Sequence, residues 1–310
     1  PITRTLTLTL ITLTLTLTFA PQVSTLCTDG STRTERAAAS NTIVVAEERG
    51  VHVNRMVTPR VVAVVRDLFG CSTLAGAELE NQPTSGTPCY GSHWEQRLFM
   101  NEGMASTSSH AAAFSALTLA ALEDSGWYKA NYSLAQPLIW PRGQGCDFAT
   151  AECVGSSDGP LTGFCAPTSA ATGCTPDHRA KGSCNVVSYG APLPLGYQYF
   201  ASDPTSGGSM AEADYCPYYQ AYANGDCDAA ANAPATNYRA ETYGSASRCF
   251  SSSLSQAVGG MSLTGSDEVP ACYQTRCSSA GLLELRIVLA SGAEEWLSCP
   301  TPGATAVALD

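Results

Sequence analysis

Fourteen cysteines in 310 residues, eleven of them between Cys146 and Cys299, constrain this chain more than any other feature. A reduced cytosolic protein rarely carries so many thiols without a metal cluster. Zinc fingers need paired C-x2-C units, and the gaps from Cys146 to Cys153, Cys165 to Cys174, Cys174 to Cys184 and Cys216 to Cys227 contain none. The better reading is a disulfide framework built in an oxidising compartment. The sequon Asn131-Tyr132-Ser133 agrees with export and makes Asn131 a candidate glycan acceptor.

The length fits two domains, each able to bury a core, and 44% hydrophobic against 14% charged residues is an ordinary globular balance. A net charge of -11 without a basic cluster excludes nucleic acid and anionic membrane as partners, because Lys and Arg bind those surfaces. Residues 182–238 carry no Lys or Arg at all. Residues 1–40 form a separate segment of Thr/Leu alternation from Thr5 to Thr18 and a linker. Period two is the pattern of a half-buried strand, monotony is that of low-complexity filler, and the charge-free run from Thr5 to Thr28 is signal-like.

Asn41 to Ala46 reads as a strand, followed by a turn near Gly50 and a second extended piece at Val51 and Val53. Thr58-Pro59 reads as N-cap and first helical residue. Val61, Val62, Val65, Leu68 and Phe69 then share one face of a helix that Gly70 ends. A second helix is expected over Ser109 to Ser125, with Phe114, Leu117, Ala121 and Leu122 on one stripe and a left-handed exit at Gly126. From residue 152 the chain is rich in Gly, Pro, Ser and Cys, with short apolar runs such as Gly281 to Leu289, as in a loop-rich domain with a few antiparallel strands.

Four histidines are present, His52, His93, His110 and His178, and none stands four residues from another. Catalytic zinc needs three protein ligands, an open position for water and a carboxylate to take the proton. In metzincin peptidases an H-E-x-x-H helix supplies two imidazoles and the base, and a third His precedes a tight turn whose methionine lies beneath the metal. His93 and Met104 have the spacing of that third ligand and that methionine. No H-E-x-x-H occurs in the sequence. His52 alternates with valines and reads as the solvent side of a strand, a site from Glu48 and His52 is too widely spread, and His110 and His178 read as solvated. Glu102 reads as a support for the turn rather than a base, and Tyr215, Tyr218, Tyr219 and Tyr222 as packing around Cys216. Gly-x-Ser-x-Gly is absent, and a disulfide-rich chain disfavours a catalytic thiol.

The stretches Ser115 to Ser133, Trp140 to Phe148, Tyr197 to Phe200 and Asp214 to Pro217, with the cysteines from Cys146 to Cys299, resemble the leishmanolysin (gp63-like) zinc metallopeptidases over about residues 41 to 300. The resemblance implies His93 as one zinc ligand, Met104 as the Met-turn residue and a general-base glutamate on a helix this sequence does not carry. It also implies bridges pairing Cys71 with Cys146, Cys153 with Cys216, Cys165 with Cys184, Cys174 with Cys249 and Cys227 with Cys272. Each encloses a loop long enough to contribute about 2–4 kcal/mol. By the resemblance, Cys277 and Cys299 match family cysteines whose partners lie beyond position 310, with pairing to each other one option, and Cys27 and Cys89 have no counterpart; the pairing of all four is open.

The expected fold is mixed α+β, with a metzincin central-region remnant (41–151) and a cysteine-rich C-terminal domain (152–310) of short antiparallel strands. The expected function is zinc-dependent proteolysis of extracellular proteins by the complete protein, at the cell surface or in the extracellular space. One imidazole does not hold zinc against water, so this chain alone is expected to bind no catalytic Zn2+ and to hydrolyse nothing. Family members are commonly membrane-anchored, and residues 302–310 hold no hydrophobic tail of the kind a GPI signal needs. The alternative is a non-catalytic adhesion module derived from the protease, whose disulfide-rich domain binds cell-surface proteins.

Overall fold

The computed structural model describes residues 22–26, 32–36, 39–81, 93–107, 112–140, 142–155, 159–166, 172–261 and 268–298. The Thr/Leu tract, Cys27, Cys89, His110 and Cys299 lie outside them. The chain divides into two compact units. The first is Pro1–Ala151 with the short segments Pro194–Gly196 and Ala211–Asp214, and the second takes the rest from Glu152 onward.

In the first unit β1 (Gln22–Leu26) and β2 (Thr32–Arg36) form an antiparallel ribbon within the segment that reads as linker in the sequence. β3 (Ile43–Glu48) and β4 (Val51–Met56) form a hairpin closed by Arg49 and Gly50, both at positive φ (56° and 74°) as a two-residue turn requires. α1 (Pro59–Phe69) starts with Pro at its first turn and ends at Gly70, whose φ of 68° is the left-handed exit. Val61, Val65, Leu68 and Phe69 are its buried residues, spaced as the 3.6 period demands. Thr58 is the N-cap by position, but its side chain makes no cap hydrogen bond.

β5 (Ala77–Leu79) pairs with β4 and completes a three-stranded antiparallel sheet. α2 (Gln96–Phe99) is a single turn. α3 (Ala116–Asp124) begins later than the sequence suggests, because the hydroxyl of Ser115 accepts from Leu117 N and caps it there. Its buried face is Leu117, Thr118 and Ala120, whereas Phe114 and Leu122 are exposed. Phe114 precedes the helix, so helical period does not set its direction. α4 (Gly145–Thr150) buries Phe148 and Ala149. Phe69 stands at the centre of this core, with ring centroids 5.8 Å from Phe99 and 6.1 Å from Phe148. Burying a Phe of this kind stabilises by about 3 kcal/mol. The Cys71–Cys146 bridge ties the end of α1 to the start of α4.

The second unit is short antiparallel strands held by four disulfides, Cys153–Cys216, Cys165–Cys184, Cys174–Cys249 and Cys227–Cys272. β6 (Val154–Gly155) pairs with β7 (Gly159–Pro160). β8 (Thr172–Cys174), β9 (Ala180–Cys184) and β12 (Tyr219–Asp226) form one sheet with β9 central. A side chain at Gly182 of β9 would meet Gln220 O at 2.4 Å, so the bulged approach of β12 requires glycine there. β10 (Val186–Ser188) pairs with β11 (Ser206–Gly208). β13 (Ser247–Ser252), β14 (Val269–Cys277), β15 (Leu283–Val288) and β16 (Glu294–Ser298) form a four-stranded meander in that order. Tyr273 and Ile287 are fully buried on it, and Cys227, Cys249 and Cys272 cluster nearby. Cys277 is free and exposed.

Candidate functional site

The segment His93–Glu95 runs between two neighbours, bridged to each through Trp94. On one side it is antiparallel to β5: Glu80 N donates to His93 O at 3.0 Å and Glu95 N donates to Glu78 O at 3.1 Å. On the other side Trp94 N donates to Met104 O at 3.0 Å, in a parallel bridge to Ala105. The chain between them, α2 and a tight turn, therefore returns Met104 to the flank of His93.

Glu102 holds that turn. It is buried, and its Oε1 accepts from Ser115 N (3.2 Å), Ser115 Oγ (2.8 Å) and Thr118 Oγ1 (2.7 Å), while Oε2 accepts from Met104 N. Trp94 Nε1 donates to Thr118 Oγ1 at 2.9 Å, which fixes α3 to the same turn. His93 is half-buried. Met104 is 40% exposed, while Trp94, Leu98, Phe99 and Met100 around the turn are sealed.

Two residues beyond His93, Glu95 belongs to a buried ionic cluster that no motif announces, because its members come from four separate segments. Arg49 of the β3–β4 turn donates through Nη2 to Glu78 Oε1 (2.7 Å) and to Asp214 Oδ2 (3.0 Å). Arg55 binds Glu48 Oε1 at 3.0 Å and Gly76 O at 3.1 Å. Arg97 caps α4 from below, donating to Phe148 O (3.2 Å) and Ala149 O (3.1 Å). Burial acts to raise the Glu78 carboxyl, but the charges of Arg49, Arg55 and Arg97 outweigh it and hold Glu78 below the usual carboxylate range. Asp214 and Tyr215 both sit at φ 55°, a left-handed conformation that costs non-glycine residues about 1–3 kcal/mol and that the Arg49 contact pins in place. Glu95 is different. Burial first, and then the charges of Asp214, Glu80 and Glu78, push its carboxyl well above the ordinary range. Its Oε1 accepts from Arg97 N at 2.9 Å, and its Oε2 has no hydrogen-bond partner.

The other histidines stand apart. His52 pairs with Glu47 at 2.9 Å on the β3–β4 hairpin, and Glu48 is committed to Arg55. His178 Nδ1 donates to Cys249 O at 2.9 Å in the second unit. Asn131 is exposed, with Ser133 Oγ donating to its Oδ1 at 2.8 Å. Tyr218 is buried, and Tyr222 is partly exposed.

Among the described residues, the ligand-type side chains that converge closely enough to hold an ion are Glu78, Glu95 and Asp214, and His93 is not among them. A lone imidazole does not fit a catalytic zinc centre, which takes three protein ligands. The described residues therefore supply at most one of them, and no reaction step follows from them alone. No helix among the described residues is long and apolar enough to cross a membrane.

The leishmanolysin family model matches residues 26–308, reaching beyond residues 41 to 300 in both directions. A leishmanolysin-like peptidase of Drosophila melanogaster is 38% identical over 260 residues, which cover 74% of this chain and 36% of that protein. One from Caenorhabditis elegans is 33% identical over 273 residues (76% and 40%), and a leishmanolysin homolog of Crithidia fasciculata is 36% identical over 256 residues (82% and 38%). The chain thus spans well under half the length of these relatives. With the turn geometry and the cysteine framework, these likenesses place the chain in the leishmanolysin family of metallopeptidases.

Proposed function

We propose that this chain is the third-ligand and C-terminal portion of a zinc endopeptidase that cleaves extracellular proteins. The observation that carries the reading is the return of Met104 to the flank of His93 through the Trp94–Met104 hydrogen bond, with Glu102 locking the turn onto α3. In this reading His93 supplies one imidazole. The other two ligands and the general base come from an H-E-x-x-H helix encoded outside this sequence, which fits the 36–40% share of its relatives that the chain spans. Bound zinc would supply a water acidic enough to attack a peptide carbonyl. This chain's own residues orient His93 and brace the turn. Disulfides, the Asn131 sequon and the family point to a secreted or surface-bound glycoprotein.

The reading is tested by sequencing the transcript upstream and measuring zinc in the protein it encodes. An in-frame H-E-x-x-H and one zinc per chain, lost in His93→Ala, are expected. Zinc retained in that variant, or a transcript without the motif, overturns the proposal.

A second reading is favoured by the separation of His93 from every convergent ligand group among the described residues. In it the protease half has decayed, this chain hydrolyses nothing, and its disulfide-rich domain binds cell-surface partners as an adhesion module. Gelatin zymography of this chain decides that point: clearing that a chelator abolishes sinks the inactive form.

A further inference from the structure

Past the end of α3, residues 125–134 run across the surface of the first unit, and all of them except Ala130 are exposed. Large apolar side chains are open there: Trp127 is 73% exposed, Tyr128 62% and Leu134 74%. A soluble protein rarely leaves so much apolar surface in one short stretch unless something covers it. The same stretch carries Asn131-Tyr132-Ser133, the one N-x-Ser/Thr sequon in the sequence. Asn131 Oδ1 accepts from Ser133 N at 3.2 Å and from Ser133 Oγ at 2.8 Å. Both bonds engage the amide oxygen, and Nδ2, the atom that carries sugar in such a sequon, donates to nothing among the described residues. Trp127 is four residues from Asn131, so their Cα atoms lie at most about 14 Å apart even on a fully extended path.

We propose that an N-linked glycan on Asn131 folds back over Trp127 and Tyr128 and is the cover of this patch. The linkage forms when Nδ2 attacks C1 of an oligosaccharide carried on a lipid pyrophosphate. The N–C1 bond forms, the C1–O bond to the pyrophosphate breaks, and the proton lost from Nδ2 leaves with it. The C–H faces of pyranose rings are apolar and settle against the negative faces of aromatic rings. One such contact is weak between free molecules. A sugar tethered a few residues away, however, is present at an effective concentration of about millimolar, so the contact fills without strong affinity. A protein partner for the same rings would have to displace that glycan, which selects sugar as the occupant. The inference rests on the secreted, glycosylated character proposed above and is independent of zinc.

The test uses the 310-residue chain secreted from eukaryotic cells behind an added signal peptide. Trypsin cuts after Lys129 and Arg142, so the mass of peptide 130–142 reports sugar on Asn131. Acrylamide quenching of tryptophan fluorescence reads the cover, because Trp94 and Trp140 are buried, Trp296 is half-buried and Trp127 is open. Removing the glycan from the native protein with a peptide N-glycosidase should raise the quenching constant. Ser133→Ala, which keeps Asn131 but breaks the sequon, should show the higher value from the start, and Ser133→Thr should retain both sugar and protection. Trp127→Phe should carry the glycan and lose the difference between treated and untreated protein. A peptide 130–142 without sugar overturns the inference together with the glycoprotein part of the earlier reading, and leaves the rings to a protein partner. Sugar on Asn131 with equal quenching before and after its removal overturns the inference alone. A difference that persists in Trp127→Phe places the cover elsewhere and overturns it equally.

Discussion

The backbone N–H of Trp94 donates to the carbonyl of Met104 at 3.0 Å, so the strand that carries His93 and the end of its turn lie side by side. That contact is backbone only and survives most substitutions. What fixes its geometry is the buried carboxylate of Glu102.

Glu102→Ala removes the acceptor of Ser115 N, Ser115 Oγ and Thr118 Oγ1 together. Each buried donor left unmet costs about 1–3 kcal/mol, and the hydroxyls can rotate to relieve part of it. We expect a loss of about 3 kcal/mol in urea unfolding of the first unit, with Glu102→Gln costing less because its amide oxygen still accepts. Equal melting of the Ala variant and the parent would show that the turn does not depend on this residue.

Asp124, the last residue of α3, caps α1 across space. Its Oδ2 accepts from Arg60 N at 2.8 Å and Val61 N at 3.1 Å, taking the place of the side-chain bond that Thr58 does not make. Replacing Asp124 by Ala should cost about 1 kcal/mol, as for other lost N-caps. The sign of the pH effect follows from the carboxyl: burial raises it, but the hydrogen bonds from Val61 N and from the backbone and side chain of Arg60 outweigh this and hold it below its ordinary value. A carboxyl lowered in the folded state contributes stability above its unfolded pKa of about 3.9, and that contribution is lost as pH falls through the folded value. The gap between parent and Asp124→Ala in thermal melts should therefore be full at pH 7 and shrink only in strong acid.

Local chemistry makes α1 readable in the sequence, because Pro59, Gly70 and the spacing of Val61, Val65, Leu68 and Phe69 all agree. The hairpin of β3 and β4 was legible for the same reason, with Gly50 at its turn. α3 was harder. Its residues are apolar on most sides, so a stripe through Phe114 and Leu122 was as plausible on paper as the Leu117, Thr118 and Ala120 face that is buried. The cysteine pairs follow from family likeness, since spacing alone leaves many connectivities open. The cluster of Arg49, Glu78, Glu95, Arg97 and Asp214 left no trace in the sequence, as Arg49 and Asp214 are 165 residues apart and meet only through the fold. His93 was legible by its distance from Met104, but not the exposure of Met104, which depends on what packs against the turn.

The Cys71–Cys146 bridge closes a span of 75 residues between the end of α1 and the start of α4. Removing it frees the unfolded chain over that loop, which chain entropy puts at about 4 kcal/mol. Cys71→Ala with Cys146→Ala should lower the unfolding midpoint of the first unit accordingly. Limited proteolysis should then cut within residues 71–146 first. A double variant as resistant as the parent would mean that the helical core around Phe69 holds the ends together unaided.

Tyr273 connects the second unit to alkaline pH. It is fully buried in the four-stranded meander, its hydroxyl donates to Arg239 O at 2.9 Å, and it lies 2.9 Å from Ser252 Oγ. Burial, and then the Glu241 charge, push its phenol up to about 12, against the opposing hydrogen bond with Ser252. An acid raised in the folded state contributes stability that is whole below its unfolded pKa of about 10 and lost as pH rises through the folded value. Stability of the second unit should thus fall between about pH 10 and 12, read by denaturant midpoints with the disulfides intact. Tyr273→Phe removes the ionisable group and costs about 1 kcal/mol at pH 7 through the lost hydrogen bonds. Its alkaline decline should be shallower than the parent's, with a residual slope from Tyr243, whose phenol is also raised by burial and by Glu241. Identical alkaline curves for the two proteins would assign the whole decline to Tyr243 and other groups.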